Sequence, residues 1–341
     1  MTIERKKIKK ESLGQWFEKM TAAGNRIMAP KRNKKQVCFE TVTSPAEVAF
    51  DYVQTTVSAK RAVFPPVEEM LAYKFADKET KLEEKEIKPQ PTVVFGIRPC
   101  DADAFVTLYE VFSRDYKDDL FLNRWEQTTF IGISCIQADS ACFCTSTGGN
   151  PGNTKGSDVL LTPLKNGDFL VEVVTEKGKK IVTAAENLFS SADSDIDKES
   201  LLAKLPNKFE GKDMKAKINA QFDNEALWSR QSMRCIGCGA CAYVCPTCQC
   251  FGIEDERFGS KGKRIRCWDS CCFGLFTLHT SGHNPRHTQW QRWRQRLMHK
   301  FSYEPDNLGV PGCVGCGRCS RACPTDMNIL EHMLEIAEEK A

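Results

Sequence analysis

A twelve-residue unit occurs twice in this chain, as CIGCGACAYVCP at 235–246 and CVGCGRCSRACP at 313–324. The copies agree at seven of twelve positions: four cysteines, two glycines and the proline. Each reads C-x2-C-x2-C-x3-C-P. Zinc ribbons use two separated C-x2-C knuckles, not four thiols crowded into one run. The crowded run suits a cubane cluster, where three neighbouring cysteines take three irons and the fourth points away to serve the other cluster. Cys235, Cys238, Cys241 and Cys323 are therefore assigned to one [4Fe–4S] centre, and Cys313, Cys316, Cys319 and Cys245 to a second. Gly237, Gly239, Gly315 and Gly317 let the backbone pass close to cluster sulfurs. Pro246 and Pro324 turn the chain after each run.

The 18 cysteines among 341 residues are about 5% of the chain, below the roughly 8–10% of a secreted disulfide scaffold. The chain also has length enough for two or three domains with cores of their own. Disulfides are thus a poor account of the thiols, and metal binding in a reducing compartment is a better one. Forty-eight basic against 45 acidic residues leave +3, too balanced to imply a polyanion partner. There is no apolar run of membrane-spanning length and no hydrophobic signal core among the first twelve residues, MTIERKKIKKES. A cytoplasmic protein without a membrane span is expected.

Residues 1–90 read as helical and charged. Ser44-Pro45-Ala46-Glu47 has the form of a helix start, with Val48, Phe50, Val53 and Val57 following in an apolar rhythm before Phe64-Pro65-Pro66 breaks it. Residues 92–97 (TVVFGI) and 128–133 (TTFIGI) suit buried parallel strands. Between them, Asp101 is a candidate cap for a helix carrying Ala104, Phe105, Leu108, Val111 and Phe112, which makes a βαβ unit. From 159 to 182, three apolar runs separated by Asn166-Gly167-Asp168 and Lys177-Gly178-Lys179 predict antiparallel hairpins. Residues 190–217 read as a solvated connector, and a helix is expected over about 218–233. The fold class is α+β or α/β: an N-terminal α/β domain over 1–219 with a parallel βαβ core and antiparallel hairpins. It is followed by a ferredoxin-like, mainly helical two-cluster domain over 220–341, with a long insertion at 247–312.

A second thiol set lies in the first half. Cys100 follows the strand at 92–97 and Cys135 the strand at 128–133, with Cys142 and Cys144 just beyond. Parallel neighbouring strands would gather all four at the carboxyl edge of one sheet, where open α/β sheets place their sites. Cys100 at a helix N-terminus would favour thiolate. Free cysteines are also common small core residues, but four at convergent loop ends, with none between 145 and 234, point to a third [4Fe–4S] cluster. Cys248 and Cys250 follow Pro246 so closely that wrapping the second cluster is their simpler role; with Cys267, Cys271 and Cys272 they either pack around the first two clusters or supply a further one. Cys38 is isolated and reads as structural.

The segment Gln289–Lys300 interleaves arginines with Trp290 and Trp293. One reading is a surface for single-stranded nucleic acid, in a nucleic-acid-processing protein with structural clusters. The other is a helix with Trp290, Trp293 and Leu297 inward and its arginines toward solvent, a partner or the anionic clusters; a local charge run in a near-neutral chain favours it, and no nucleic-acid partner is expected. All five histidines follow residue 278, and Pro285 interrupts the His279, His283, His287 spacing. No nucleotide-binding glycine motif or Ser/His/Asp arrangement occurs, so no catalytic residue and no flavin of its own are expected. The chain reads as an electron conduit.

Five further motifs occur in order: Gly96-Ile97-Arg98-Pro99-Cys100-Asp101, Cys142-Phe143-Cys144-Thr145-Ser146, Cys245-Pro246-Thr247-Cys248-Gln249-Cys250-Phe251, Trp268-Asp269-Ser270-Cys271 and Gly282-His283-Asn284-Pro285-Arg286. From about residue 90 to the end the chain resembles the iron–sulfur β subunits of cytoplasmic [NiFe] sulfhydrogenases, and it is similar to the A subunit of anaerobic sulfite reductase. The resemblance implies a dicluster domain joined to an α/β domain. It also implies partners on two sides: a flavoprotein subunit that binds FAD and uses NAD(P)H, and a catalytic redox subunit of hydrogenase, sulfite reductase or heterodisulfide-reductase-like type. The third-cluster assignment gains support from it, while Cys267 and Cys272 stand outside the family pattern.

Overall fold

In the computed structural model, which describes residues 3–76, 79–84, 88–193 and 195–339, the first half runs β1 (Glu4–Ile8), α1 (Leu13–Ala22), β2 (Arg26–Asn33), β3 (Gln36–Thr41), β4 (Val67–Ala76), β5 (Glu79–Glu84), β6 (Thr92–Ile97) and α2 (Pro99–Ser113). It continues with α3 (Asp119–Glu126), β7 (Thr128–Ile133), β8 (Val159–Pro163), β9 (Phe169–Val173), α4 (Glu176–Thr183) and β10 (Phe189–Ser191). The second half runs α5 (Gly211–Ala220), α6 (Glu225–Ser232), α7 (Ala240–Tyr243), β11 (Phe251–Phe258), β12 (Lys261–Trp268), α8 (Gln289–Met298), α9 (Glu304–Leu308), α10 (Arg318–Arg321) and α11 (Ile329–Glu338).

Eight strands form one sheet in the order β10-β1-β9-β8-β7-β6-β2-β3. Its centre, β2, β6, β7 and β8, is parallel. Alternation along β6 explains why both faces are covered. Val93 and Phe95 face a core with Trp16 and Phe17 of α1; Val94 faces Phe105, Leu108 and Phe121 of α2 and α3. Each such large apolar side chain contributes roughly 1.5–3 kcal/mol on burial. Gly96 ends the run: its φ is 83° and the register against β7 slips between Phe95 and Ile97. That bulge bends the strand as it delivers Arg98 and Cys100 to the sheet edge.

A second sheet, β11-β12-β4-β5, joins distant parts of the chain, because β12 pairs antiparallel with β4. Arg266 of β12 is buried against Glu68 of β4 and also reaches Asp118, while Arg124 of α3 meets the same Glu68 at 2.5 Å. A third core unites α5, α6, α8 and α11 through Ile218, Trp228, Leu297 and Met333, and it includes Phe143 from the first half. Among the described residues no helix is long and apolar enough to cross a membrane.

The βαβ unit and the hairpin of β8 with β9 form as expected. Other expectations are corrected. Among the described residues of 1–90, five strands, β1 to β5, outweigh the one α-helix α1. Ser44–Glu47 does form a capping box, but the turn it starts is the single 3-10 turn Pro45–Glu47, and Val48 then bridges to Lys31 in extended backbone. Ile181 and Val182 lie on helix α4, not on a third hairpin strand. Thr175 caps that helix by accepting from Gly178 N–H. Gly178 is there because its Cα lies against β8: an added Cβ would be 2.0 Å from the Asp158 carbonyl oxygen. Arg98, not Asp101, is the N-cap of α2, with Pro99 in its first turn. The helix expected over 218–233 is two helices, α5 and α6, broken after Ala220.

Candidate metal centres

Both cysteine runs share one backbone device. Gly237 and Gly239 have φ of 69° and 74°, and Gly315 and Gly317 have 60° and 72°. Two left-handed glycines wind the first three cysteines of each run around a common centre, a path that side chains with a Cβ resist. The single turns α7 and α10 follow and carry Cys241 and Cys319.

The fourth cysteines cross over. Cys235, Cys238, Cys241 and Cys323 line one cavity, with Arg296, Cys272 and Cys319 in its wall. Cys245, Cys313, Cys316 and Cys319 line another, again with Arg296 and with Lys300. The structure thus brings together the two quartets expected from the spacing. Among the described residues no three Cys, His, Asp or Glu side chains converge on a single ion; these thiols stand around volumes. Donors are aimed at their sulfurs. Gln289 Nε2 lies 3.0 Å from Cys235 Sγ and Met327 N lies 3.2 Å from Cys323 Sγ. Lys300 Nζ lies 3.4 Å from Cys245 Sγ. Such N–H···S contacts and nearby positive charge are the means by which a protein sets a cluster's potential.

Cys100, Cys135, Cys142 and Cys144 also gather. Cys135 lies within charge interaction of Cys100, Cys142 and Cys144. Gln54 Nε2 donates to Cys100 at 3.3 Å and Arg321 Nη2 to Cys142 at 3.2 Å. Burial pushes the Cys135 thiol up to about 11, and the Cys144, Cys313 and Cys316 thiols up to about 12. A bound metal would displace those protons, so loading strengthens as pH rises. Cys100 also lies within charge interaction of Cys316, which links the sheet-edge group to the second cavity. Phe143 N donates to the Gly315 carbonyl oxygen at 2.9 Å, fixing the 141–144 loop against the second repeat.

Several functional neighbours have no motif of their own. Arg318, where the first repeat has Ala240, is buried and paired through both guanidinium nitrogens with buried Asp101 of α2, Nη2 at 2.6 Å; its Nε donates to the Thr55 carbonyl oxygen at 2.9 Å. An arginine inside a crowded thiol run was the one available signal. In α8, which Thr288 and Gln291 start with a capping box, Arg296 is buried with its Nη2 donating to the Cys241 carbonyl oxygen at 3.0 Å. Arg292 donates to the Arg286 and His287 carbonyl oxygens, and Arg294 stacks over Phe222 and Trp290. The Arg/Trp segment is thus spent on internal contacts, with Arg296 facing the thiols.

The fit to iron–sulfur cubanes rests on the donor set: one cavity lined by the first quartet with Cys272 and Cys319 beside it, another lined by the second quartet, cations at their walls and no carboxylate among the quartets. Residues 234–327 match the 4Fe-4S dicluster domain family. The chain is 30% identical over 339 residues to sulfhydrogenase 2 subunit beta of Pyrococcus furiosus, covering 97% of this chain and 98% of that protein. It is also 26% identical over 174 residues to the F420-dependent formate dehydrogenase subunit beta of Methanocaldococcus jannaschii, covering 48% of this chain and 37% of that protein. No solved structure matches. The likeness to the Pyrococcus protein takes in the first 90 residues as well as the motif-bearing remainder, and the chain belongs to the sulfhydrogenase β-subunit family of iron–sulfur proteins.

Proposed function

We propose that this chain is the electron-transfer subunit of a cytoplasmic redox complex, passing single electrons between a flavoprotein subunit that uses NAD(P)H and a catalytic metalloenzyme of hydrogenase, sulfite reductase or heterodisulfide-reductase-like type. Cys235, Cys238, Cys241 and Cys323 hold one [4Fe–4S] cluster, Cys313, Cys316, Cys319 and Cys245 a second, and Cys100, Cys135, Cys142 and Cys144 a third. The first two form a ferredoxin-like, mainly helical domain from about residue 220. The single observation that carries this reading is continuity: Cys319 and Arg296 line both cavities, and Cys316 neighbours Cys100.

A bound [4Fe–4S] cluster supplies one-electron carriage, which lets a two-electron flavin serve a metalloenzyme in single steps. The chain supplies the rest. Arg296 and Lys300 hold positive charge at the cavity walls, Gln289 and the Met327 amide donate to ligand sulfurs, and the cores on either side exclude water. Exposed Cys238 and Ile236 mark the end at which a partner would exchange electrons. Eighteen free thiols suit a reducing cytoplasm.

Anaerobic iron and sulfide analysis tests the reading. Cys142→Ser and Cys316→Ser should each remove about four irons per chain relative to the unaltered protein. A colourless anaerobic preparation that carries zinc and gives no paramagnetic signal after dithionite would sink it.

A further inference from the structure

Two stretches of the chain, 226–253 and 270–303, contain no aspartate or glutamate, so all 45 acidic residues lie elsewhere. They hold six arginines and a single lysine, Lys300, which is buried. The two stretches pack together. An added Cβ on Gly239 would lie 2.5 Å from the Phe273 ring, and one on Gly237 would lie 3.3 Å from Gln289 Oε1, so the 273–289 segment is pressed along the first cysteine run. Asn284 holds that segment folded: its Nδ2 donates to the Gly274 carbonyl oxygen at 2.7 Å, and its Oδ1 lies 2.8 Å from Thr277 Oγ1. The surface so made is apolar. Met233, Leu275 and Leu278 are 79%, 75% and 46% exposed, and exposed Ile236 and Cys238 also line the first cavity.

Its charge is positive. Arg286, Arg292 and Arg294 have no carboxylate within ion-pair distance among the described residues. Asp326, Glu335 and Glu339 reach in from neighbouring elements, and each is answered by an arginine: Asp326 lies 4.0 Å from Arg234, and Glu335 and Glu339 lie 2.7 Å from Arg230. The buried cations Lys60, Arg296 and Lys300 turn inward, to the Cys248 and Cys241 carbonyl oxygens and to Cys245 Sγ. Exposed apolar side chains rimmed by charge mark an interaction surface on a soluble protein. Arginine and methionine, with lysine, aspartate and glutamate kept away, is the composition of the centre of a protein interface. Single-stranded nucleic acid needs bare rings on which its bases stack. Here the most exposed apolar side chains carry no ring, Trp293 is buried and Trp290 lies under Arg294.

We propose that this face docks a partner protein whose own surface presents carboxylates around an apolar centre, and that single electrons cross it between the partner's carrier and the cluster held by Cys235, Cys238, Cys241 and Cys323. The assignment rests on the electron-transfer reading and adds the chemistry of the partner. Its probe is an acidic plant-type [2Fe–2S] ferredoxin, which when reduced gives one electron to the oxidised chain, with no bond or proton changing place. The rate is followed without oxygen, in rapid-freeze samples, by loss of the ferredoxin's paramagnetic signal. The full chain is used as wild type, Leu275→Asp, Arg286→Glu and Leu82→Asp, the last at a bare apolar position on β5. The wild-type rate should fall about tenfold as salt rises from about 0.05 to about 0.5 M, because opposite charges steer the encounter. At low salt Leu275→Asp and Arg286→Glu should each be about tenfold slower than wild type, Leu82→Asp should match it, and all four should take electrons equally from the methyl viologen radical. A ferredoxin rate that is level or rises with salt overturns the docking face, and so does an equal loss in Leu82→Asp and Leu275→Asp. Tight binding of a single-stranded oligonucleotide that Arg286→Glu abolishes also overturns it. If the loop variants lose iron, the salt dependence of the wild type decides alone. A chain that the viologen radical does not reduce overturns the electron-transfer reading, and the docking face with it.

Discussion

The two copies of the cysteine run share a sequence pattern but meet different surroundings. At the second position of the run, Ile236 is 65% exposed and its counterpart Val314 is 3% exposed. An added Cβ on Gly237 or Gly239 would meet side chains, Gln289 at 3.3 Å and the Phe273 ring at 2.5 Å. On Gly315 or Gly317 it would strike backbone, the Cys144 nitrogen at 2.5 Å and the Ala141 carbonyl oxygen at 2.4 Å. The first copy is a rim and the second an internal joint to the sheet. A duplicated motif thus says what is bound and leaves the electrical position of each copy to the fold around it.

Arg318 offers the hardest test of that contrast. It exists in the second copy alone and neutralises Asp101 at the start of α2. Arg318→Ala should cost about 3–5 kcal/mol by leaving that carboxylate buried and unpaired, read as a fall in the anaerobic urea midpoint. The exposed Arg264–Asp255 pair serves as control, and its loss should leave that midpoint nearly unmoved because solvent screens it. Equal losses at both sites would erase the distinction between joint and rim.

Glycine substitutions give the next largest difference. Gly237→Ala pays mainly for its left-handed backbone, about 1–2 kcal/mol. Gly317→Ala adds a clash with the Ala141 carbonyl that no rotamer relieves, about 1–3 kcal/mol more. On the three-cluster proposal it should also lower the iron content, because the 141–144 loop must give way. Iron content after mild heating, compared between the two variants, checks both parts.

The smallest expected effect is at the paired apolar positions. Val314→Ala should destabilise by about 1–2 kcal/mol through a small cavity, whereas Ile236→Ala should stay within about 0.5 kcal/mol. If Ile236 belongs to a docking rim, its loss slows electron exchange with a partner protein while leaving the melting temperature in place. A melting temperature that falls equally for both would mean the first copy is as interior as the second.

What was legible in the sequence follows the range of the interactions involved. The cysteine runs were readable because each packs four thiols into eleven consecutive residues, three for one cubane and the fourth for its twin, and that spacing carries the chemistry. The Cys100 group was readable at one remove, since β6 and β7 are short unbroken apolar runs whose parallel pairing forces their loops together. The β4–β12 pairing was not, because nothing in Val67–Ala76 names a partner almost two hundred residues away. Lys177-Gly178-Lys179 misled for a related reason: a glycine that reads as a turn is there for a helix pressed on Asp158. Lys60 and Lys300 were silent because a buried cation is recognised only by what surrounds it, and Arg318 showed itself only by standing inside a thiol run.

The hydrogen bond from the Phe143 amide to the Gly315 carbonyl has a consequence for how such a protein is inherited. Phe143 is part of the core built by the C-terminal helices, while its neighbours Cys142 and Cys144 belong to the sheet's own thiol group. Gene shuffling that transplanted the twin-run half onto a new host would remove the support of the loop that carries Cys142 and Cys144. A recombination point placed between the halves would therefore cut through a shared core.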